Sequence, residues 1–139
     1  MLKHKLIHPE IVEALAAAGH GAKVLIADAN YPSSTEFGEN SQVVYLNLTP
    51  GIPTVTQVLE VLLTAIPIED AAIMEPDTGT ESAACREFRS VLPDVELNGY
   101  SRFEFYEEAS GPATCLHIVT GDARPYANVL LTIGVAGMT

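Results

Sequence analysis

The run Lys23-Val24-Leu25-Ile26-Ala27, closed abruptly by Asp28, decides the fold. Four apolar residues without polar alternation are what a strand buried on both faces requires. A carboxylate directly after such a strand sits where open α/β sheets place their ligands. Upstream, Pro9 suits the first turn of a helix, and Ile11, Val12, Leu15 and Ala16 then share one face. Gly19 is placed to end that helix as a left-handed C-cap. Downstream, residues 29–41 are polar and broken by Pro32 and Gly38, as a surface loop would be. Val43-Val44-Tyr45-Leu46 reads as a second strand. Thr54 and Gln57 have capping-box spacing, opening a helix whose inner face is Val55, Val58, Leu59, Leu62 and Leu63.

Beyond it, 71–74 reads as a strand, 82–90 as a helix and 95–97 as a short strand. Ser101 and Glu104 repeat the capping-box spacing ahead of a helix over 102–108. Residues 116–119 and 129–133 supply the last two strands. Strands alternating with helices predict a three-layer α/β/α single domain over residues 1–139, with a largely parallel or mixed sheet.

Composition agrees with a globular chain. The 139 residues are 47% hydrophobic and 18% charged, which a disordered chain would not be. Eighteen acidic against seven basic side chains give a net charge of −11, which argues against nucleic acid or an anionic membrane as partner. Cys85 and Cys115 are too few and too far apart for a disulfide framework or a zinc site. The basic start Met1-Leu2-Lys3-His4-Lys5 lacks the apolar stretch of a signal peptide, and 58–68 is broken by Glu60 and Pro67. A cytoplasmic protein is expected.

Five residues could carry chemistry. Gly19-His20-Gly21 leaves an imidazole unshielded on a turn, either as an acid–base group near neutral pH or as a support for the preceding helix end. Asp28 could clamp neighbouring hydroxyls or form an Asx turn with Asn30. Arg102 stands beside Phe103, Phe105 and Tyr106, as a hydroxyl donor or as a solvated helix residue. Tyr126 and Asn128 donate and accept hydrogen bonds, which suits an uncharged polyhydroxyl ligand, though both could be strand-opening residues. His4 and His8 have helical ligand spacing but no third partner, so no metal is expected. His117, alternating with apolar neighbours, reads as structural. Phosphate-cradling loops, nucleotide fingerprints and nucleophile elbows are missing from the sequence.

Five segments in order resemble the D-ribose pyranase / L-fucose mutarotase family. They are Gly19-His20-Gly21, Ala27-Asp28-Ala29-Asn30-Tyr31-Pro32, Leu48-Thr49-Pro50-Gly51-Ile52-Pro53, Arg102-Phe103-Glu104-Phe105-Tyr106-Glu107, and Thr120-Gly121 with Tyr126-Ala127-Asn128. The resemblance implies a sugar isomerase without metal or cofactor, assembled as a ring-shaped homo-oligomer, commonly a decamer. It implies that His20 is the acid–base residue and that Asp28, Arg102, Tyr126 and Asn128 bind the sugar. The arginine of the Arg-Phe-x-Phe-Tyr segment is similar to the fucose branch, where the ribose branch usually carries histidine. The Leu-Thr-Pro-Gly-Ile-Pro segment and Ala127 are closer to the ribose branch.

L-Fucose anomer exchange is the leading expectation. D-Ribose pyranase activity, a non-catalytic sugar-binding module and an assembly protein are the alternatives. A site shared between subunits is also expected. Asp28 leaves its strand where Tyr126 and Asn128 enter theirs, and in a parallel sheet those are opposite edges, ~17–20 Å apart. Either the last strand runs antiparallel, or Tyr126 and Asn128 reach a neighbour's Asp28; the second is the expectation here.

Overall fold

In the computed structural model, which describes residues 1–137, one six-stranded sheet carries helices on both faces. The elements in chain order are α1 (Pro9–Ala17), β1 (Lys23–Ala27), β2 (Gln42–Tyr45), α2 (Val55–Leu62), β3 (Ile68–Met74), α3 (Ala83–Val91), β4 (Leu97–Tyr100), α4 (Arg102–Ala109), β5 (Thr114–Val119) and β6 (Val129–Ile133). Their order across the sheet is β2-β5-β1-β6-β3-β4. Alternation along β1 divides the core. Val24 and Ile26 face α1, α2 and α3, which supply Ile11, Leu59 and Phe88; Leu25 and Ala27 face α4, with Phe105, Ala109 and Tyr31. The predicted three-layer α/β/α architecture is therefore present.

The sheet is mixed because β6 runs antiparallel to both neighbours, β1 and β3, while the other pairings are parallel. This overturns the argument that placed Tyr126 and Asn128 away from their own Asp28. The end of β1 and the start of β6 lie on one edge of the sheet, so the three residues meet within one chain.

Local signals are read unevenly. Thr54 and Gln57 form the full capping box at α2. At α4 the helix exists, but the Ser101 hydroxyl donates to the Glu104 carboxylate at 2.5 Å and caps no backbone N–H. Gly19 is not the left-handed stop: α1 ends at Ala17, Ala18 is extended, and the positive φ belongs to Gly21, at 87°. His8 caps α1, its Nδ1 accepting from the Ile11 N–H at 3.4 Å. The predicted strand at 95–97 lies further along, at Leu97–Tyr100.

Candidate active site

Strands β1 and β3 end, and β6 begins, around a cleft of about 230 Å³. It is lined by Asp28, Asn30 and Tyr31 after β1, Met74 at the end of β3, Arg102 and Tyr106 of α4, and Pro125, Tyr126 and Asn128 ahead of β6. A larger groove, about 580 Å³, lies under the N-terminal segment against α2 and is lined mainly by aliphatic side chains. Its lining offers few hydroxyl-binding groups, so the smaller cleft is the candidate for a polar ligand.

Asp28 is 3% exposed and its oxygens are engaged: Oδ1 accepts from the Asn30 N–H at 2.9 Å, and Oδ2 from the Ala127 N–H at 3.2 Å and Asn128 Nδ2 at 3.1 Å. Asn128 Oδ1 accepts in turn from the Asp28 N–H at 2.7 Å. The Asx-type bond to Asn30 is present, and the carboxylate also lines the cleft. Burial pushes the Asp28 carboxyl above its ordinary range, and hydrogen bonds from neighbouring backbone N–H groups and Asn128 only partly offset this.

Arg102 is exposed at the rim. Its Nε donates to the Tyr106 hydroxyl at 2.9 Å, and its Cζ stands 5.2 Å from the Phe103 ring centre and 5.5 Å from that of Tyr106. Its Nη donors make no hydrogen bond among the described residues. Tyr126 has φ 57°, the one non-glycine residue with positive φ among the described residues. A left-handed tyrosine costs about 1–2 kcal/mol and persists where its surroundings fix it.

His20 is not in this cleft. It sits before β1, at the opposite edge of the sheet, with its side chain 56% exposed. Five residues at ~3.3 Å each put about 17 Å of strand between it and Asp28. Nε2 lies 2.9 Å from both oxygens of Glu69, at the start of β3. That leaves Nδ1 as the ring nitrogen open to solvent. The structure therefore brings Asp28, Arg102, Tyr126 and Asn128 together and leaves His20 apart from them in the same chain.

Sequence reasoning missed Glu69, Tyr106 and Met74. For Tyr106 a signal existed, since it falls four residues after Arg102 on the same helical face. Glu69 is 49 residues from His20 and no local pattern joins them. Among the described residues no three His, Cys, Asp or Glu side chains converge as metal ligands. No helix of the described residues is long and apolar enough to cross a membrane.

Fold and cleft together define an α/β protein with a polar cleft of small-molecule size where β1 and β3 end and β6 begins. The sequence matches the RbsD / FucU transport protein family over residues 1–136, and the chain belongs to that family. It is 34% identical to a D-ribose pyranase from Variovorax paradoxus, covering 97% of this chain and 98% of that protein. It is 31% identical to a fucose mutarotase from Homo sapiens, over 96% and 92% of the two chains. The structure of Bacillus subtilis RbsD complexed with D-ribose superposes with a TM-score of 0.86 at 26% identity, covering 99% of this chain and all of that one. The fold is shared with a Streptococcus pneumoniae fucose mutarotase in complex with L-fucose, at TM-score 0.80, 24% identity and 98% of this chain against 100% of that one.

Proposed function

We propose that this protein interconverts the anomers of free L-fucose by acid–base ring opening and closure, at a site completed by His20 of a neighbouring subunit. The observation that carries the reading is the division of labour between the two sheet edges. One edge holds a hydroxyl-lined cleft; the other presents an exposed imidazole backed by a carboxylate. A head-to-tail contact would bring the two edges together, and heterologous contacts of that kind close into rings. Exposed apolar side chains at both edges, Phe103 at 72% and Val135 at 68%, support such a contact. A homo-oligomeric ring, commonly a decamer in the resembled family, is part of the proposal, as is a cytoplasmic location.

The chemistry needs little. The anomeric hydroxyl loses its proton while the ring oxygen gains one, the bond between anomeric carbon and ring oxygen breaks, and the open aldehyde recloses on its other face. Positioned proton donors and acceptors contribute ~10²–10⁴-fold to such a step. His20, held by Glu69 through Nε2, exchanges the proton through Nδ1. Tyr106, whose hydroxyl accepts from Arg102, keeps its own proton to donate and stands ready as the second group. Asp28 holds Asn128 and the Ala127 amide in place, and Asn128, Tyr126 and Arg102 bind hydroxyls. No carbanion or hydride arises, so the scheme uses no cofactor.

Two features favour L-fucose over ribose. Arg102 offers several fixed donors that can bridge two hydroxyls. Met74, Tyr106 and Pro125 give the cleft an apolar wall suited to a deoxysugar's methyl group. Relatives with both activities keep the D-ribose pyranase reading as the second one. Saturation-transfer NMR of anomer exchange, with and without protein, separates them. L-Fucose exchange should be accelerated more than ribopyranose exchange. The reverse order would give the protein to ribose, and sugar binding without acceleration would make it a binding module.

A further inference from the structure

The turn that carries Tyr126 is tied down at points the sugar does not reach. Upstream, Asp122 is 1% exposed; its Oδ2 accepts from the Val55 N–H at the start of α2 at 3.0 Å and from Arg124 Nη2 at 2.8 Å, while Oδ1 accepts from the Arg124 N–H and Nε. Arg124 Nη1 then donates to Glu87 of α3 at 2.5 Å, and Glu87 accepts also from the Thr56 hydroxyl of α2 at 2.6 Å. In the turn itself, the Tyr126 carbonyl accepts from Ser82 Oγ at 3.4 Å and faces Cys85 Sγ at 3.7 Å, both at the N-terminal end of α3. Downstream, the Ala127 N–H and Asn128 are fixed to Asp28. A forked guanidinium is the one side chain able to engage a buried carboxylate twice and a second carboxylate at once.

We propose that Arg124 is a positioning residue: with Asp122 and Glu87 it holds the left-handed turn at Tyr126 in register with Asp28, making α3 part of the scaffold of the cleft. This rests on the cleft being the sugar site as argued above. The left-handed tyrosine persists because both flanks of the turn are over-determined. Loosening the upstream flank releases the Ala127 amide from Asp28 and disorders the Tyr126 and Asn128 hydroxyl-binding groups, without touching the proton-transfer groups.

The test compares Arg124→Met, Arg124→Lys and Glu87→Ala in the intact protein. Glu87→Ala leaves the Asp122–Arg124 pair in place and puts a strong helix former in α3, so the test does not depend on the arginine variants folding. Two quantities are read: amide hydrogen exchange at Ala127 and the half-saturation of L-fucose exchange. In Arg124→Met and Glu87→Ala, Ala127 exchange should rise about tenfold while β3 amides stay unchanged. Half-saturation should rise about tenfold with the maximal rate within about twofold, and Arg124→Lys should recover part of the loss. Unchanged Ala127 protection and half-saturation in folded Glu87→Ala would overturn the proposal. A wild-type protein without sugar turnover would defeat the functional reading, and Ala127 exchange would still decide whether the clamp operates.

Discussion

His20 presents one ring nitrogen to Glu69 and stands more than half exposed, so its packing contribution is negligible, and the proposed function gives it the proton transfer. His20→Ala should therefore lower L-fucose exchange by ~10²-fold or more while leaving the unfolding midpoint unchanged, because exposed side chains contribute little stability. Saturation-transfer NMR beside a urea titration checks both halves, and wild-type exchange in the folded variant would remove His20 from the mechanism. His117 is the opposite case. It is fully buried in β5, hydrogen-bonded through Nε2 with the Ser33 hydroxyl at 2.8 Å and edge-on to Tyr31, and burial lowers its pKa to about 4. As pH falls from ~6.5, the unfolded chain takes up a proton that the folded one refuses until about 4, so stability is lost across that window. Between pH 7 and pH 5 that loss should be about 2 kcal/mol. Replacing the pair as His117→Leu with Ser33→Ala should flatten that part of the profile; urea midpoints at the two pH values with an undiminished difference would contradict it.

At the level of elements, the segment joining β5 to β6 is wedged between neighbours. A Cβ on Gly121 would collide with the carbonyl oxygens of Thr49 and Ile52, and the Gly121 N–H donates to the Pro53 carbonyl at 3.0 Å. Backbone cannot swing aside as a flexible side chain does, so Gly121→Ala should cost about 3 kcal/mol, the upper end of overpacking. A shifted urea midpoint with weakened sugar binding is expected; a midpoint equal to wild type would show that the 49–53 turn yields freely. The same region shows what a sequence can and cannot tell. The strands β1 and β6 are legible because each carries four buried apolar residues with a single polar one, Lys23 or Thr132, and Thr54 with Gln57 announces α2 by local chemistry alone. The direction of β6 is carried not by its own residues, which read alike in either sense, but by residues 120–128, a connection from β5 without a helix and shorter than the dozen or so residues of a parallel crossover. Ser101 fails as a cap because Glu104 takes its hydroxyl, and the left-handed residue falls two positions after Gly19, at Gly21. Asp28, Arg102, Tyr126 and Asn128 are legible as polar interruptions at element ends. Glu69 is not, because its pairing with His20 is made by the sheet.

For the whole molecule, the direction of β6 decides which residue the proposed shared site takes from a neighbour. Because Asp28 and Asn128 bond within one chain, the group left over is His20, a strand length away at the far edge. A net charge of −11 disfavours anionic substrates and suits a neutral sugar. A monomer would hold two half-sites facing opposite ways; a head-to-tail ring would complete one site at each contact. The most direct test mixes His20→Ala protein with Tyr126→Ala protein, each inactive by itself, after dissociation and reassembly. Random mixing makes about one contact in four join an intact His20 to an intact cleft. The proposal predicts that L-fucose anomer exchange, absent from either parent, returns in the mixed oligomer to roughly that fraction of wild type. Well-formed mixed oligomers that stay inactive, while wild type treated in the same way recovers, would contradict it.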